Sequence, residues 1–107
     1  GAIKQKVLEL GIEKNTLILF ISDNGANPKG SNGSLRGSKG TLWEGGHRVP
    51  MLAWWPGKIE GGQSTSCMAL SMDLFPTILA LSSIKQEIDL DGIDISNILF
   101  GQNGSVS

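Results

Sequence analysis

Ile3, Val7, Leu8 and Leu10 recur at helical spacing near the start of the chain, and the pattern stops at Gly11. It predicts the last turns of an amphipathic helix over residues 2–10. Gly11 can take the left-handed conformation that ends helices at no steric cost. A chain that opens inside a helix suggests the later part of a longer domain. Leu17-Ile18-Leu19-Phe20-Ile21 is a continuous apolar run, not an alternating one. Such a run predicts a strand covered on both faces, as in a parallel sheet. It ends abruptly at Ser22-Asp23-Asn24-Gly25, so helix, glycine, buried strand and polar turn make half of an α/β unit.

Residues 26–46 have no periodicity and predict a long glycine-rich loop, a feature that is usually functional inside a compact domain. Val49 to Trp55 is a second apolar run, closed by the turn signal Pro56-Gly57, and reads as a strand. Further on, Asp73 is placed to cap a helix at about 74–82 by accepting backbone N–H bonds, with Pro76 harmless in its first turn. Leu74, Ile78, Leu79 and Leu81 are its expected buried positions. Asp91-Gly92 marks a turn, residues 96–100 a short helix, and residues 102–107 a disordered tail.

Composition narrows the class. A chain of 107 residues is one domain or a piece of one, and its formal net charge of -1 gives no reason to expect nucleic acid or an anionic membrane as partner. No apolar run approaches the roughly 20 residues of a membrane span. Gly1 to Leu10 carries Lys4, Lys6 and Glu9 through its length and does not read as a signal peptide. Cys67 is the single cysteine, so an internal disulfide is impossible. It is expected to be a small buried residue. Asn32-Gly33-Ser34 and Asn103-Gly104-Ser105 fit the N-glycosylation pattern, which also arises often by chance. Glycine is the unusual component: of 15, six fall between Gly30 and Gly46.

The chemistry gathers there. Asp23 and Asn24 offer a carboxylate and an amide oxygen at the carboxyl end of a strand, where α/β sheets bind ligands. Both are hard oxygen donors suited to Ca²⁺ or Mg²⁺. The same Asn-Gly step also fits a hairpin turn, and local pattern leaves both open. Asn32 to Thr41 resembles a phosphate loop, but Lys39 follows Ser38 rather than glycine, and Gly40 stands where Ser or Thr is required. What remains is a cation on a backbone with many N–H groups, suited to sulfate or phosphate, or else a solvated surface loop. His47 could act as base or ligand but has many structural uses. Arg48 is expected to pair with a carboxylate inside the fold, and Glu44 is one candidate partner.

In order, Leu17 to Asn24, Gly33 to Pro50, Trp55-Pro56-Gly57-Lys58-Ile59, Met72-Asp73-Leu74-Phe75-Pro76-Thr77 and Leu90-Asp91-Gly92 resemble the later part of a sulfatase catalytic domain. The chain resembles the arylsulfatases and N-acetylgalactosamine-6-sulfatases, over about residues 5–101. The resemblance implies a partial alkaline-phosphatase-like α/β fold and sulfate-ester hydrolysis. In that family a formylglycine, made from a Cys/Ser-x-Pro-x-Arg motif, attacks sulfur while Ca²⁺ (sometimes Mg²⁺) and basic residues hold the sulfate oxygens. It implies that Asp23 and Asn24 are the later pair of metal ligands and that Lys39 contacts the sulfate. It gives His47 no catalytic role, and makes Glu44, Gly45, Gly46 and Arg48 loop architecture.

Cys67-Met68-Ala69-Leu70-Ser71 lacks the motif's proline and arginine, and the early aspartates, lysine and histidine of the family are also absent. The expectation is therefore a fragment that is inactive alone. It would pack against a missing N-terminal portion or self-associate. The family resemblance also implies a secreted, periplasmic or lysosomal setting. Two other readings are a phosphate or phosphonate ester hydrolase of the same superfamily and a non-catalytic scaffold module.

Overall fold

The computed structural model describes residues 1–27 and 29–102. The expected tail beyond Gln102, with the Asn103 sequon, lies outside the described residues. The elements run α1 (Ala2–Glu9), β1 (Ile18–Ile21), α2 (Glu44–His47), β2 (Met51–Trp54), α3 (Leu74–Leu81) and α4 (Ser96–Leu99), with single 3-10 turns at Glu13–Asn15 and Ser71–Asp73. They fall into two compact units: Leu17–Trp54, and Gly1–Thr16 together with the chain from Trp55 onward.

In the first unit β1 and β2 pair antiparallel, with Ile18 opposite Trp54 and Phe20 opposite Leu52. The apolar run at 17–21 predicted parallel neighbours. Its partner among the described residues instead runs the other way and comes from the same chain. A continuous apolar run reports that both faces are apolar, and says nothing about the direction of the neighbour. Phe20 and Leu52 share one face of this ribbon and remain 67% and 64% exposed. The loop between the strands holds one short helical turn, α2, which periodicity did not predict.

In the second unit α1 ends as its sequence predicts. Gly11 has φ +65°, its N–H donates to the Leu8 carbonyl at 3.0 Å, and the Ile12 N–H donates to the Val7 carbonyl at 3.3 Å. These two bonds satisfy carbonyls that the last helical turn leaves open. None of the residues of α1 is buried within this chain. The Trp55 indole N–H donates to the Lys14 carbonyl at 2.8 Å, tying the two chain segments of this unit together.

The core of this unit lies where the sequence pattern did not put it. Pro76 and Thr77 are the buried residues of α3, while Ile78 is exposed and Leu74, Leu79 and Leu81 are half-buried. They pack with Ile95 and Leu99, the buried hydrophobic residues at α4. Thr77, fully buried, donates its hydroxyl to the Asp73 carbonyl at 2.6 Å and accepts the Ile95 N–H at 2.9 Å. Asp73 does not cap α3 with its side chain. Its carboxylate instead accepts the N–H of Leu70 at 2.7 Å and of Ile93 at 3.0 Å, joining the turn before α3 to the turn before α4. A buried carboxylate takes whichever N–H groups its surroundings leave unpaired, and here those belong to two loops. Cys67 is exposed, correcting the expectation of burial, because the segment around it has no regular structure to cover it.

Candidate functional site

The site is the loop that joins β1 to β2. β1 delivers Ser22, Asp23 and Asn24 at its carboxyl end, and the Ser22 hydroxyl donates to the Asn24 carbonyl at 2.7 Å. Neither Asn24 nor Gly25 has the positive φ that a type I′ hairpin turn demands, so the hairpin reading of Asn-Gly fails. Asp23 is exposed and Asn24 half-buried, and neither side chain has a hydrogen-bond partner among the described residues. Two adjacent hard oxygen donors with free lone pairs fit a divalent cation such as Ca²⁺ or Mg²⁺. Among the described residues there is no group of three His, Cys, Asp or Glu side chains able to hold a metal.

The loop then turns back on itself. The Gly25 N–H donates to the Gly46 carbonyl at 2.9 Å, and the Gly45 N–H to the Arg36 carbonyl at 2.7 Å. A side chain on Gly45 would run into the backbone carbonyls of Arg36 and Gly37, and one on Gly25 into that of Gly45. This close backbone approach is what the glycines permit. It brings the end of β1, the middle of the loop and α2 side by side.

Lys39 is placed by its backbone. Its N–H donates to the Ala26 carbonyl at 2.9 Å, which anchors it two residues beyond Asn24. Its ammonium is exposed and has no ion pair among the described residues. The backbone N–H groups around it are less available than the composition implied. Ser38 N–H donates to the Thr41 hydroxyl at 3.1 Å, and Thr41 N–H to the Ser38 carbonyl at 3.0 Å. The Lys39 side chain, by contrast, makes no hydrogen bond or ion pair among the described residues.

Other side chains of the loop bond to one another. Glu44 and Arg48 form an ion pair at 2.9 Å, one turn apart across α2, both about half exposed. An exposed i,i+4 pair of this kind contributes only about 0.3–0.5 kcal/mol. Arg36 stacks over the Trp43 ring at 3.6 Å from its centroid. His47 is exposed at the end of α2 and makes no hydrogen bond or ion pair among the described residues. Sequence pattern gave Asn32 a sequon and the first place in the loop segment to Thr41, and its side chain bridges two passes of the loop. Its Oδ1 accepts the Ala26 N–H at 2.7 Å, and its Nδ2 donates to the Gly37 carbonyl at 3.0 Å. The available signal was an Asn-Gly step within a glycine-rich loop, where Asn side chains often bond the local backbone. A cleft of about 390 Å³ opens beside this bridge, with Asn24, Asn32, Leu35 and Arg48 in its lining.

Comparison with known proteins decides the family. The sulfatase family model matches residues 2–84. The chain belongs to the sulfatase family. It is 45% identical to N-acetylgalactosamine-6-sulfatase of Mus musculus over 103 residues, which is 89% of this chain and 20% of that protein. Arylsulfatase A of Bos taurus is 43% identical over 111 residues, covering 98% and 22%, and arylsulfatase G of Homo sapiens 38% over 120 residues, covering 96% and 23%. The crystal structure of the PsFucS1 sulfatase from Pseudoalteromonas sp. superimposes with a TM-score of 0.86 at 38% identity, covering 97% of this chain and 22% of that one. The crystal structure of Ps i-CgsB in complex with k-i-k-neocarrahexaose gives 0.84 at 35% identity, covering 92% and 23%. The fold is therefore a part of the alkaline-phosphatase-like sulfatase fold. The chain spans about a fifth of the length of the sulfatases it matches.

Proposed function

We propose that residues 1–101 form the later part of the catalytic domain of a sulfuric ester hydrolase. In it Asp23 and Asn24 supply two oxygen ligands to Ca²⁺ (or Mg²⁺), and Lys39 contacts the sulfate group. The observation that supports this reading is the bond from the Lys39 N–H to the Ala26 carbonyl, which ties the Lys39 backbone to the residue two positions past Asn24.

The division of labour follows from charge. A divalent cation, when bound, supplies the positive charge that draws in sulfate oxygens and stabilises the charge that builds on them. Asp23 balances part of that cation's charge, and Asn24 adds a neutral donor, so the net field at the site stays attractive to an anion. The Lys39 ammonium would donate hydrogen bonds to a sulfate oxygen and offset the charge that builds there. The inward-folded glycines let the backbone come close enough for all three to serve one substrate.

The attacking group is absent from this sequence, since no Cys/Ser-x-Pro-x-Arg motif occurs in it and Cys67 sits in Cys-Met-Ala-Leu-Ser. We assign the nucleophile and the remaining ligands to other parts of a longer polypeptide. The exposed apolar pair Phe20 and Leu52 supports such a remainder, because a bare apolar sheet face is a surface that a folded domain covers. The decisive experiment compares two proteins with 4-nitrophenyl sulfate. The purified 107-residue chain releases no nitrophenol. The full-length polypeptide containing it does, with loss of that activity in Asp23→Ala and Lys39→Ala. Turnover by the chain alone, or parental activity in both variants, would overturn the proposal.

A further inference from the structure

Asn32 makes two side-chain bonds of opposite polarity. Oδ1 takes the N–H of Ala26 at 2.7 Å, and Nδ2 gives a hydrogen to the carbonyl of Gly37 at 3.0 Å. The two partners also set the amide orientation, because the flipped amide would face a donor to a donor and an acceptor to an acceptor. The Ala26 carbonyl, in the next peptide group, accepts the Lys39 N–H at 2.9 Å. Ala26, two residues past Asn24, is thus held at its N–H by Asn32 and at its carbonyl by Lys39, through two successive peptide groups. Gly37, the second anchor of Asn32, lies two residues before Lys39. The residue itself is half-buried and close to Gly25, so its amide has little room to exchange partners.

We propose that Asn32 is a positioning residue. Its amide fixes the spacing between the Asp23–Asn24 pair and Lys39, and turnover depends on that spacing although Asn32 touches neither metal nor sulfate. This rests on the site roles proposed above. The side-chain choice has a physical reason. A planar amide presents one donor and one acceptor on a short stem, whereas a carboxylate presents acceptors alone and would face the Gly37 carbonyl with a like charge. Catalytic geometry is sensitive to displacements of about 1 Å, which can cost about 100-fold in rate.

The test uses the full-length polypeptide with 4-nitrophenyl sulfate, measuring kcat and KM separately together with bound Ca²⁺. Asn32→Ala is expected to lower kcat about 10- to 100-fold while Ca²⁺ content per folded molecule is kept. Asn32→Asp is expected to match Asn32→Ala at pH 7. Its activity relative to the parent should then rise about threefold or more by pH 5, because a protonated carboxyl regains the donor and acceptor of the amide. Ser31→Ala, one residue away, should leave both constants unchanged. Parental kcat in Asn32→Ala, with Asp23→Ala and Lys39→Ala inactive, would overturn the positioning role alone. Full activity in Asp23→Ala and Lys39→Ala would bring down the site reading beneath it. Asn32 variants that aggregate, or an Asn32→Asp to parent ratio that stays flat with pH, would assign Asn32 to stability only and overturn the inference.

Discussion

The amide N–H of Lys39 donates to the carbonyl of Ala26 at 2.9 Å. Thirteen positions of glycine-rich chain separate them, and one backbone bond closes the gap. The Lys39 side chain is a cation with no ion pair among the described residues, and Asp23 and Asn24, shortly before Ala26, carry oxygen donors without hydrogen-bond partners there. Local sequence set the two ends of this relationship, and the folded loop joined them.

Removing the Lys39 charge should therefore damage chemistry more than folding. In the full-length polypeptide, Lys39→Ala is expected to lower kcat/KM for 4-nitrophenyl sulfate by about 100-fold or more, as for other lost groups that stabilise transition-state charge. The thermal midpoint should move little, because the ammonium makes no bond within the described residues. Stopped and continuous assays paired with thermal unfolding separate the two effects.

Chelation gives an independent check on Asp23 and Asn24. Dialysis of the full-length polypeptide against EDTA should abolish turnover, and added Ca²⁺ or Mg²⁺ should restore it. In Asp23→Ala the metal concentration needed for half-maximal recovery should rise by about tenfold or more, since a hard cation depends on its anionic ligands. Recovery at the parental concentration would remove Asp23 from the ligand shell.

Two glycines should answer substitution differently. In Gly45→Ala the new methyl meets the carbonyls of Arg36 and Gly37, and backbone cannot yield as a flexible side chain can. A loss of about 1–3 kcal/mol is expected, with disruption of the loop and of activity. At Gly33 there is open space, and φ of +62° is the sole obstacle. Gly33→Ala should cost about 1–2 kcal/mol and leave kcat nearly unchanged. Denaturant midpoints and initial rates on the same samples report the contrast.

Thr77→Val tests the core of the second unit. Valine has nearly the same shape but leaves the Ile95 N–H without its acceptor in a buried position. The expected cost is about 1–3 kcal/mol, read from thermal or denaturant unfolding. Thr77→Ser keeps the hydroxyl and should cost less than Thr77→Val, an order that a purely volume-based account would reverse.

Asn32 should be unmodified in protein made by a glycosylating host, although it heads a sequon. Its amide nitrogen already donates to the Gly37 carbonyl, and the residue is half-buried. Peptide mapping by mass spectrometry checks this directly. A glycan at Asn32 in active protein would contradict the bridge.

Several features were legible from sequence because they depend on neighbours in the chain. The helix ending at Gly11, the strand ending at Ser22 and the metal-suited pair after it all follow from periodicity and from short-range backbone chemistry. The motifs around Lys39, in their order and spacing, carried the resemblance to the sulfatases. What sequence pattern misread depended on distant partners. The direction of the strand beside β1 was one such case. Another was the face of α3 that is buried, where Thr77 rather than Ile78 lies inside because Ile95 needs a hydrogen-bond acceptor there. The carboxylate of Asp73 found its partners at Leu70 and at Ile93, the second of them twenty positions away.

By itself, then, the sequence determined which residues carry charge and oxygen donors and which segments are strand, helix or glycine-rich loop, since these follow from side-chain chemistry and local backbone preference. Only the tertiary structure decided that Asn32 bridges Ala26 and Gly37, and that the Lys39 backbone is tied to Ala26. Those contacts are hydrogen bonds between distant peptide groups, and a backbone N–H or carbonyl looks the same at every position of a sequence.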